Sequence, residues 1–119
     1  MYKRQHGSQN AENVAIDLAL SFNAKITALY VSKSDLDFNE KVLKNIEWKC
    51  KQRKIEIEVV HKKGEPAEEI LNEIKDHDII VMGAGRKGFF SKIVIGHVSR
   101  TVAAMSTIPL ILVRGRYNL

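Results

Sequence analysis

The sequence predicts an α/β fold, a doubly wound open parallel sheet with helices on both faces. Two observations carry this prediction. Segments with helical periodicity alternate with short β-rich segments along the whole chain, and such alternation forces right-handed crossovers and a mainly parallel sheet. The 119 residues, of which 45% are hydrophobic, are also enough for one domain with its own core. We therefore expect residues 1–119 to form a single domain.

The first helix and the strand after it follow from local patterns. Apolar residues recur at three- and four-residue spacing over residues 9–22, which predicts an amphipathic helix. Ser8 is a suitable N-cap for this helix, and Asn23 is a suitable left-handed terminator. Residues 26–31 are short and β-rich and predict a strand.

A second helix and a second strand come next. An apolar stripe over residues 38–53 predicts the helix. Cys50 lies on this stripe and is expected to be a buried small hydrophobe, whereas Trp48 lies off it and is expected to be partly exposed or part of an interface. In residues 55–59 apolar and charged side chains alternate, which predicts a strand with one wetter face near a sheet edge.

The C-terminal half supplies two more helices and two more strands. Gly64 breaks the chain, and Pro66 suits the first turn of a helix that runs to about Lys75. Residues 79–82 are a continuous apolar run, which predicts a strand buried on both faces. A glycine-rich loop follows, then a helix that ends near Met105, and a last strand over residues 109–113.

The start of the chain does not fit this order. A sheet of this class has an apolar first strand at its centre, but residues 2–6 are strongly polar. Either these residues form a poor strand, or the native first strand is truncated or missing, and the polarity favours the second alternative. If the first strand forms, we expect five strands in the spatial order 3-2-1-4-5.

The distribution of charge along the chain bears on the kind of partner that the protein binds. The net charge is +5, and residues 79–119 hold six cationic side chains and no carboxylate, so that the first 78 residues sum to −1. A basic end of this kind is typical of a protein with an anionic partner, although a basic surface that only keeps the protein in solution explains it equally well.

Composition excludes several classes of site and location. The single cysteine excludes a disulfide framework and a multi-thiolate metal site, and neither His61 nor His77 has the companion residues of a metal centre. No apolar run approaches the roughly 20 residues that span a bilayer, and the first residues lack the apolar stretch of a secretory signal. We expect a cytoplasmic protein with no membrane partner. No Ser-His-Asp set, carboxylate pair or Cys-His pair indicates hydrolysis, so no catalytic residue is predicted.

The strongest local motif is the glycine-rich stretch after the buried apolar run. Gly83, Gly85 and Gly88 match the dinucleotide fingerprint, but no acidic residue follows for the ribose, and a Walker loop fails because Phe89 follows Gly88. A glycine-rich turn without a ligand stays an alternative. A better template brackets twelve residues between Gly83 and Gly96. Gly96 opens the last helix, and the loop and the helix start then offer two clusters of backbone N–H groups to one polyphosphate.

The chain resembles the universal stress protein family from about residue 7 to residue 113. The resemblance rests on stretches that match the family's N-terminal helix, its Gly-x-Pro turn with the following helix, and its last two strands. These are residues 7–15, 64–70, 78–83 and 108–113. Together they are far more specific than any single glycine pattern.

The nucleotide-binding branch of this family carries the signature G-x2-G-x9-G-[S/T]. Its first and third glycines align with Gly83 and Gly96, whereas Arg86 stands at the second glycine and His97 at the hydroxyl residue. The resemblance therefore implies a degenerate motif. One lost hydrogen bond to a phosphate is worth about 1.5–3 kcal/mol, and cationic side chains such as Arg86, Lys87 and a protonated His97 offset part of that loss.

The resemblance also implies what is bound and where. It implies a small stress-response protein that binds an adenine nucleotide, ATP or AMP, as a regulatory or sensing module, with Mg²⁺ accompanying a triphosphate. His6 stands where the family has an aspartate beside the nucleoside, and Val31 where the backbone contacts adenine. The expected contact residues are Val31, Met82, Gly83, Ala84, Gly85, Arg86, Lys87, Gly96, His97, Val98 and Ser99.

The last strand lies at an edge of the predicted sheet. Residues 110–113 form an apolar edge with no charged residue to prevent strand pairing before Arg114, and the resemblance implies antiparallel pairing of this edge in a homodimer.

A dimeric adaptor with a vestigial phosphate loop is the main alternative function. Nucleic-acid binding through the basic end is disfavoured because few aromatic residues accompany it. The protein is not expected to be an enzyme, because no base is present to position water, although a weak ATPase activity stays open.

Overall fold

The computed structural model describes residues 3–33, 40–83 and 97–113, and for residues 3–9 it describes the backbone alone. Helices and strands alternate in these residues, which confirms the predicted α/β class. The elements are α1 (Lys3–Phe22), β1 (Ile26–Ser32), α2 (Glu40–Gln52), β2 (Ile57–Lys63), α3 (Pro66–Glu73), β3 (Ile80–Gly83), α4 (His97–Met105) and β4 (Leu110–Val113). A short 3₁₀ helix, Ile74–Asp76, follows α3.

The described strands pair as two two-stranded parallel sheets. In the first, β1 pairs with β2, and Ile26 lies opposite Ile57. In the second, β3 pairs with β4, and Ile80 lies opposite Leu110. These pairs are the neighbours 3-2 and 4-5 of the predicted order, and both are parallel. The complete five-stranded order and the doubly wound arrangement stay predictions.

Helix α1 begins at Lys3, so the expected N-cap role of Ser8 is wrong, because Ser8 lies inside the helix. The backbone of residues 3–6 is helical, so the poor strand, which was the disfavoured alternative for these residues, does not form. The physical reason is that Lys, Arg and Gln have high helix propensity, and Gly7 costs only about 1 kcal/mol in a helix interior. The other end agrees with the prediction, because Asn23 takes a left-handed φ of 53° directly after the helix.

The contacts of the chain divide it into two compact units. One is the continuous segment Ala15–Ile70, and the other combines Met1–Val14 with Leu71–Leu119. The continuous unit contains the β1–β2 sheet, and the other unit contains the β3–β4 sheet. The single domain expected from the sequence stays a prediction.

The core of the continuous unit lies on one face of the β1–β2 sheet. Buried side chains from α1, from α2 and from the turn before β2 form one cluster, on which three strand residues pack. The cluster consists of Ile16, Ala19, Ile46, Cys50 and Ile55, and the strand residues are Ile26, Ala28 and Ile57. Cys50 is completely buried, as predicted, and Trp48 is exposed on the other side of α2.

Helix α2 ends in a turn that leads directly into β2. The amide of Lys54 donates to the carbonyl of Lys51 at 3.2 Å, and the amide of Ile55 donates to the carbonyl of Cys50 at 2.9 Å. This is the Schellman pattern, and Lys54 takes the left-handed φ of 59° that glycine adopts more readily. Strand β2 then continues to Lys63, beyond the predicted end at residue 59, because pairing with β1 extends the ladder.

The β3–β4 sheet is less buried than the sequence predicts. Both strands are half-buried along their whole length, and Ile79 is 41% exposed. The expectation that residues 79–82 form a strand buried on both faces is therefore wrong. The physical reason is that, in the described part of the chain, β3 pairs with β4 alone and has no neighbour on its other side.

Candidate functional site

Ligands of open α/β sheets bind at the carboxyl ends of parallel strands. The described chain has two such ends, one in each sheet. Val31 lies at the carboxyl end of β1, and Met82 and Gly83 lie at that of β3. The residues predicted from the sequence thus fall at the carboxyl ends of both sheets.

A hydrogen bond joins the end of β3 to the beginning of α4. Ser99 lies in the first turn of α4, is buried, and donates from its Oγ to the carbonyl oxygen of Gly83 at 3.1 Å. The two residues are sixteen apart in sequence, so the bond holds together both ends of the glycine-rich segment between them. Helix α4 begins at His97, directly after Gly96, as the sequence predicts.

The first turn of α4 is electropositive. The first amides of an α-helix have no partner inside the helix, and the helix dipole adds a partial positive charge at the same end. His97 is exposed and Val98 half-buried, and no carboxylate occurs in α4 or anywhere after Asp78. Backbone amides with this surrounding charge are suited to a phosphate group.

The hydroxyl of Ser99 contacts the protein itself. The sequence predicts Ser99 as one of the phosphate contacts and does not say whether its hydroxyl or its backbone makes the contact. In the structure its proton is committed to the carbonyl of Gly83 and the side chain is buried. What Ser99 offers to an anion is therefore its backbone N–H.

Part of the predicted phosphate loop lies outside the described residues. This concerns five of the predicted contact residues, among them the motif position where arginine replaces glycine. The residues are Ala84, Gly85, Arg86, Lys87 and Gly96. Their contacts with a ligand stay predictions.

The backbone of Val31 points away from β2. In β1 the amide of Ile26 donates to the carbonyl of Glu56, and the carbonyl of Ser32 accepts from the amide of Gly64, both at 3.0 Å. Backbone groups alternate sides along a strand, so the even-numbered residues of β1 face β2 and the N–H and C=O of Val31 face the opposite side. A backbone contact with a nucleobase requires this orientation.

The structure shows a polar cluster at the carboxyl end of β1 and β2 that was not expected from the sequence. The Oγ of Ser32 and the Nε2 of His61 are 2.7 Å apart, and the rings of Tyr30 and His61 lie 5.9 Å apart between centroids. Ser32 is buried. The signal that could have found the cluster is the two-residue period of the strand, which places Tyr30 and Ser32 on the same face as Ile26 and Ala28.

This cluster ties the two strands together beside Val31. A net hydrogen bond of this type contributes about 0.5–1.5 kcal/mol. Tyr30 and His61 are also opposite each other in the register, so the ring contact reinforces the pairing. The cluster thus fixes the strand end from which Val31 presents its backbone.

Among the described residues no group of three or more His, Cys, Asp and Glu side chains could hold a metal ion. None of the described helices combines the length and the apolar character needed to cross a bilayer.

Comparison with known sequences identifies relatives over most of the chain. Residues 34–114 match the Universal stress protein family. Universal stress protein YxiE of Bacillus subtilis (strain 168) is 33% identical over 76 residues, which cover 62% of this chain and 51% of that protein. The chain thus spans about half the length of this curated relative.

Comparison with solved structures identifies the same fold. A universal stress protein solved in complex with cAMP has a TM-score of 0.67 at 23% identity, over 92% of this chain and 89% of that one. The universal stress protein from Archaeoglobus fulgidus has a TM-score of 0.66 at 17% identity, over 95% and 91%. Universal stress protein UspA from Lactobacillus plantarum has a TM-score of 0.63 at 20% identity, over 89% and 88%. Because the family match extends from before α2 to the end of β4 and the solved relatives share the fold, the chain belongs to the universal stress protein family.

Proposed function

We propose that this protein is a cytoplasmic stress-response module that binds an adenine nucleotide, ATP or AMP, and acts through binding and not through catalysis. The observation that carries the proposal is the 3.1 Å bond from Ser99 to Gly83, because it places the end of β3 beside the electropositive start of α4. A solved relative in complex with cAMP supports adenine nucleotides as the ligand class.

The proposed phosphate contacts come from backbone amides and from cations. The first amides of α4, at His97, Val98 and Ser99, bind phosphate oxygens, and Arg86 and Lys87 add charge-assisted hydrogen bonds. The backbone of Val31, which points away from β2, is proposed separately to contact the base.

We propose that Mg²⁺ binds this protein only together with a nucleotide. No described group of carboxylates or histidines fits a resident metal, and Mg²⁺ typically binds substrate phosphates while it keeps several of its waters. We therefore expect a chelator to weaken ATP binding and to leave AMP binding unchanged.

The direct test is to identify what the purified protein carries. Mass spectrometry after denaturation should release a stoichiometric adenine nucleotide, and calorimetry should measure the affinity of the stripped protein for ATP, AMP and cAMP. The proposal is abandoned if no nucleotide is released and millimolar ATP gives no heat of binding.

Two double variants locate the phosphate contacts. Arg86→Ala/Lys87→Ala should weaken ATP binding about tenfold or more, because each lost charge-assisted bond is worth about 1.5–3 kcal/mol. The control is Arg53→Ala/Lys54→Ala, which removes the same pair of side chains at the end of α2 and should leave the affinity unchanged. Equal losses in both variants would mean that net charge, not a local contact, attracts the nucleotide.

A dimeric adaptor without nucleotide is the second candidate. It is favoured by the histidine at position 97, which stands in place of the motif hydroxyl. It is also favoured by the helical backbone of residues 3–6, where the family has the strand that ends beside the nucleoside. In this case dimerisation is retained and the calorimetric response to nucleotides is absent.

Homodimerisation through β4 is part of both candidates. The amide of Ile80 donates to the carbonyl of Pro109 at 2.9 Å, so alternation turns the backbone groups of Leu110 and Leu112 away from β3. Leu112→Pro should therefore remove a donor used between subunits and give a monomer in light scattering. Ile111→Pro removes a bond of the β3–β4 ladder and should instead lower the melting temperature.

A further inference from the structure

The side chain of His61 lies beside both chain neighbours of Val31. The Nε2 of His61 and the Oγ of Ser32 are 2.7 Å apart, and the ring of His61 lies 5.9 Å from the ring of Tyr30 between centroids. Ser32 is only 3% exposed, so water competes little for this hydrogen bond. A single side chain on β2 thus meets the residue before Val31 and the residue after it.

The backbone groups of Val31 belong to the two peptide units that it shares with these neighbours. Its N–H is part of the unit that joins Tyr30 to Val31, and its C=O is part of the unit that joins Val31 to Ser32. A peptide unit is planar, so its direction changes only when the dihedral angles of the residues at its two ends change. The contacts of His61 therefore restrain the direction of both backbone groups.

This restraint acts at the end of a strand. Ser32 is the last residue of β1, and pairing is lost most easily at the ends of elements. The carbonyl of Ser32 accepts a hydrogen bond from the amide of Gly64 at 3.0 Å. The side-chain bond to His61 adds to this backbone bond, and both oppose fraying of the strand beside Val31.

The N–H and C=O of one residue form a donor and an acceptor side by side, which suits adenine better than guanine. Adenine presents an amino donor at N6 beside a ring acceptor, whereas guanine presents an acceptor at O6 in the corresponding place. With guanine the carbonyl of Val31 would face another acceptor, and an unsatisfied acceptor is costly away from water. Discrimination between the two bases therefore depends on how firmly the groups of Val31 are directed.

We propose that His61 determines a preference of this protein for adenine over guanine, because it holds Tyr30 and Ser32 and thereby directs the backbone of Val31. This role of His61 rests on the proposed function, in which Val31 contacts the base. In it His61 is a positioning residue. All four residues belong to the continuous unit Ala15–Ile70, so one compact unit carries the whole arrangement.

Calorimetry with ATP and GTP on the full chain tests this role. The wild type should bind ATP at least about tenfold more tightly than GTP, because one hydrogen bond is worth up to about a factor of ten. His61→Ala and Ser32→Ala should each reduce this ratio to about threefold or less, mainly through weaker ATP binding. His61→Gln keeps a polar group that can bond to the hydroxyl of Ser32 and should recover part of the ratio. Inorganic tripolyphosphate, which has no base, should bind all of these proteins equally.

Ile57→Val is the matched control for a general loss of stability. Ile57 packs on the core and lies opposite Ile26, which is five residues and about 17 Å from Val31 along β1. The loss of one methylene there should lower stability about as much as the loss of one hydrogen bond, yet it should leave the ratio of the two affinities unchanged. Circular dichroism and urea unfolding establish that every variant is folded during the titrations.

The outcomes separate this role of His61 from the proposed function. If the wild type binds neither nucleotide, the proposed function fails and the role of His61 fails with it. If the wild type binds ATP and GTP equally, or if both alanine variants keep its preference for ATP, only the role of His61 is overturned. Equal losses of ATP and GTP affinity in His61→Ala also overturn it, as does a changed ratio in Ile57→Val, because neither result depends on a directed contact with the base.

Discussion

The two sheets of this protein are both parallel pairs, yet different interactions hold them. β1 and β2 pair over seven residues, and one face of their sheet packs against a cluster of five buried side chains. β3 and β4 pair over four residues and are half-buried throughout. The described contacts that support the first sheet are a hydrophobic cluster, and a described contact at the end of the second is the hydrogen bond from Ser99 to Gly83. The proposed phosphate site lies at the end of the shorter sheet, beside this bond.

The largest loss of stability should come from a substitution in the core beside the β1–β2 sheet. Ile46→Ala removes a buried side chain from the cluster and should lower the free energy of unfolding by about 2–5 kcal/mol, because a cavity adds to the lost burial. Val42→Ala, on the same helix but 37% exposed, is the matched control and should change stability by less than about 1 kcal/mol. Urea unfolding measures both. A similar small loss in the two variants would mean that the cluster is not the main source of stability.

The next largest loss of stability is expected at the end of the β3–β4 sheet. Ser99→Ala leaves the carbonyl of Gly83 without its donor and should cost about 1–3 kcal/mol. It should also lower nucleotide affinity, because the end of β3 is no longer held beside α4. Thr101→Ala is the control, since Thr101 Oγ1 donates at 3.0 Å to the carbonyl of His97 in its own helix. Unfolding and calorimetry on both variants separate the two roles, and an affinity unchanged by Ser99→Ala would contradict the importance of this bond for the site.

A smaller loss is expected where β2 leads into α3. Gly64 has a φ of 150°, and a Cβ there would lie 2.9 Å from Oε2 of Glu69. Gly64→Ala should therefore lower stability by about 1 kcal/mol, mainly through backbone strain. The double variant Gly64→Ala/Glu69→Ala removes the close contact but keeps the strain, so thermal unfolding should show partial recovery. Complete recovery would assign the loss to the contact alone.

The smallest change should be a gain of stability, at the turn that ends α2. Lys54 is left-handed with a φ of 59°, and Lys54→Gly should raise the free energy of unfolding by about 0.5 kcal/mol because glycine adopts this conformation without steric cost. Lys51→Gly, inside the helix, should instead lower it by about 1 kcal/mol. Denaturant titration of both variants should give opposite signs, and two losses would show that this turn is not strained.

Local patterns predicted most of the helices and strands. The β-rich run placed β1 at Ile26, and the glycine at position 96 placed the start of α4 at His97, because these signals act over a few residues. The left-handed Asn23 was predicted for the same reason. The start of α1 was not, because Ser8 is a good cap only when the residues before it do not continue the helix, and here their side chains favour helix.

Contacts between distant residues could not be predicted in this way. The bond between Ser32 and His61 spans 29 residues, and it forms only because the register of β1 and β2 places these side chains close together. The extension of β2 to Lys63 depends on the same pairing. The half-burial of β3 depends on which strands lie beside it. An apolar run such as residues 79–82 has the same sequence in a central strand and in an edge strand, so the run alone does not predict how deeply the strand is buried.

The continuity of Ala15–Ile70 has a consequence for how the protein is made. This unit is complete in the chain before any residue of Leu71–Leu119 is required, whereas the other unit needs residues from both sides of it. Contacts that close a long loop form more slowly than contacts within a short stretch. On the ribosome, the cluster around Cys50 can therefore assemble while the glycine-rich segment is still being translated. The residues proposed to bind phosphate would then mature after the unit that holds Val31, the residue proposed to contact the base.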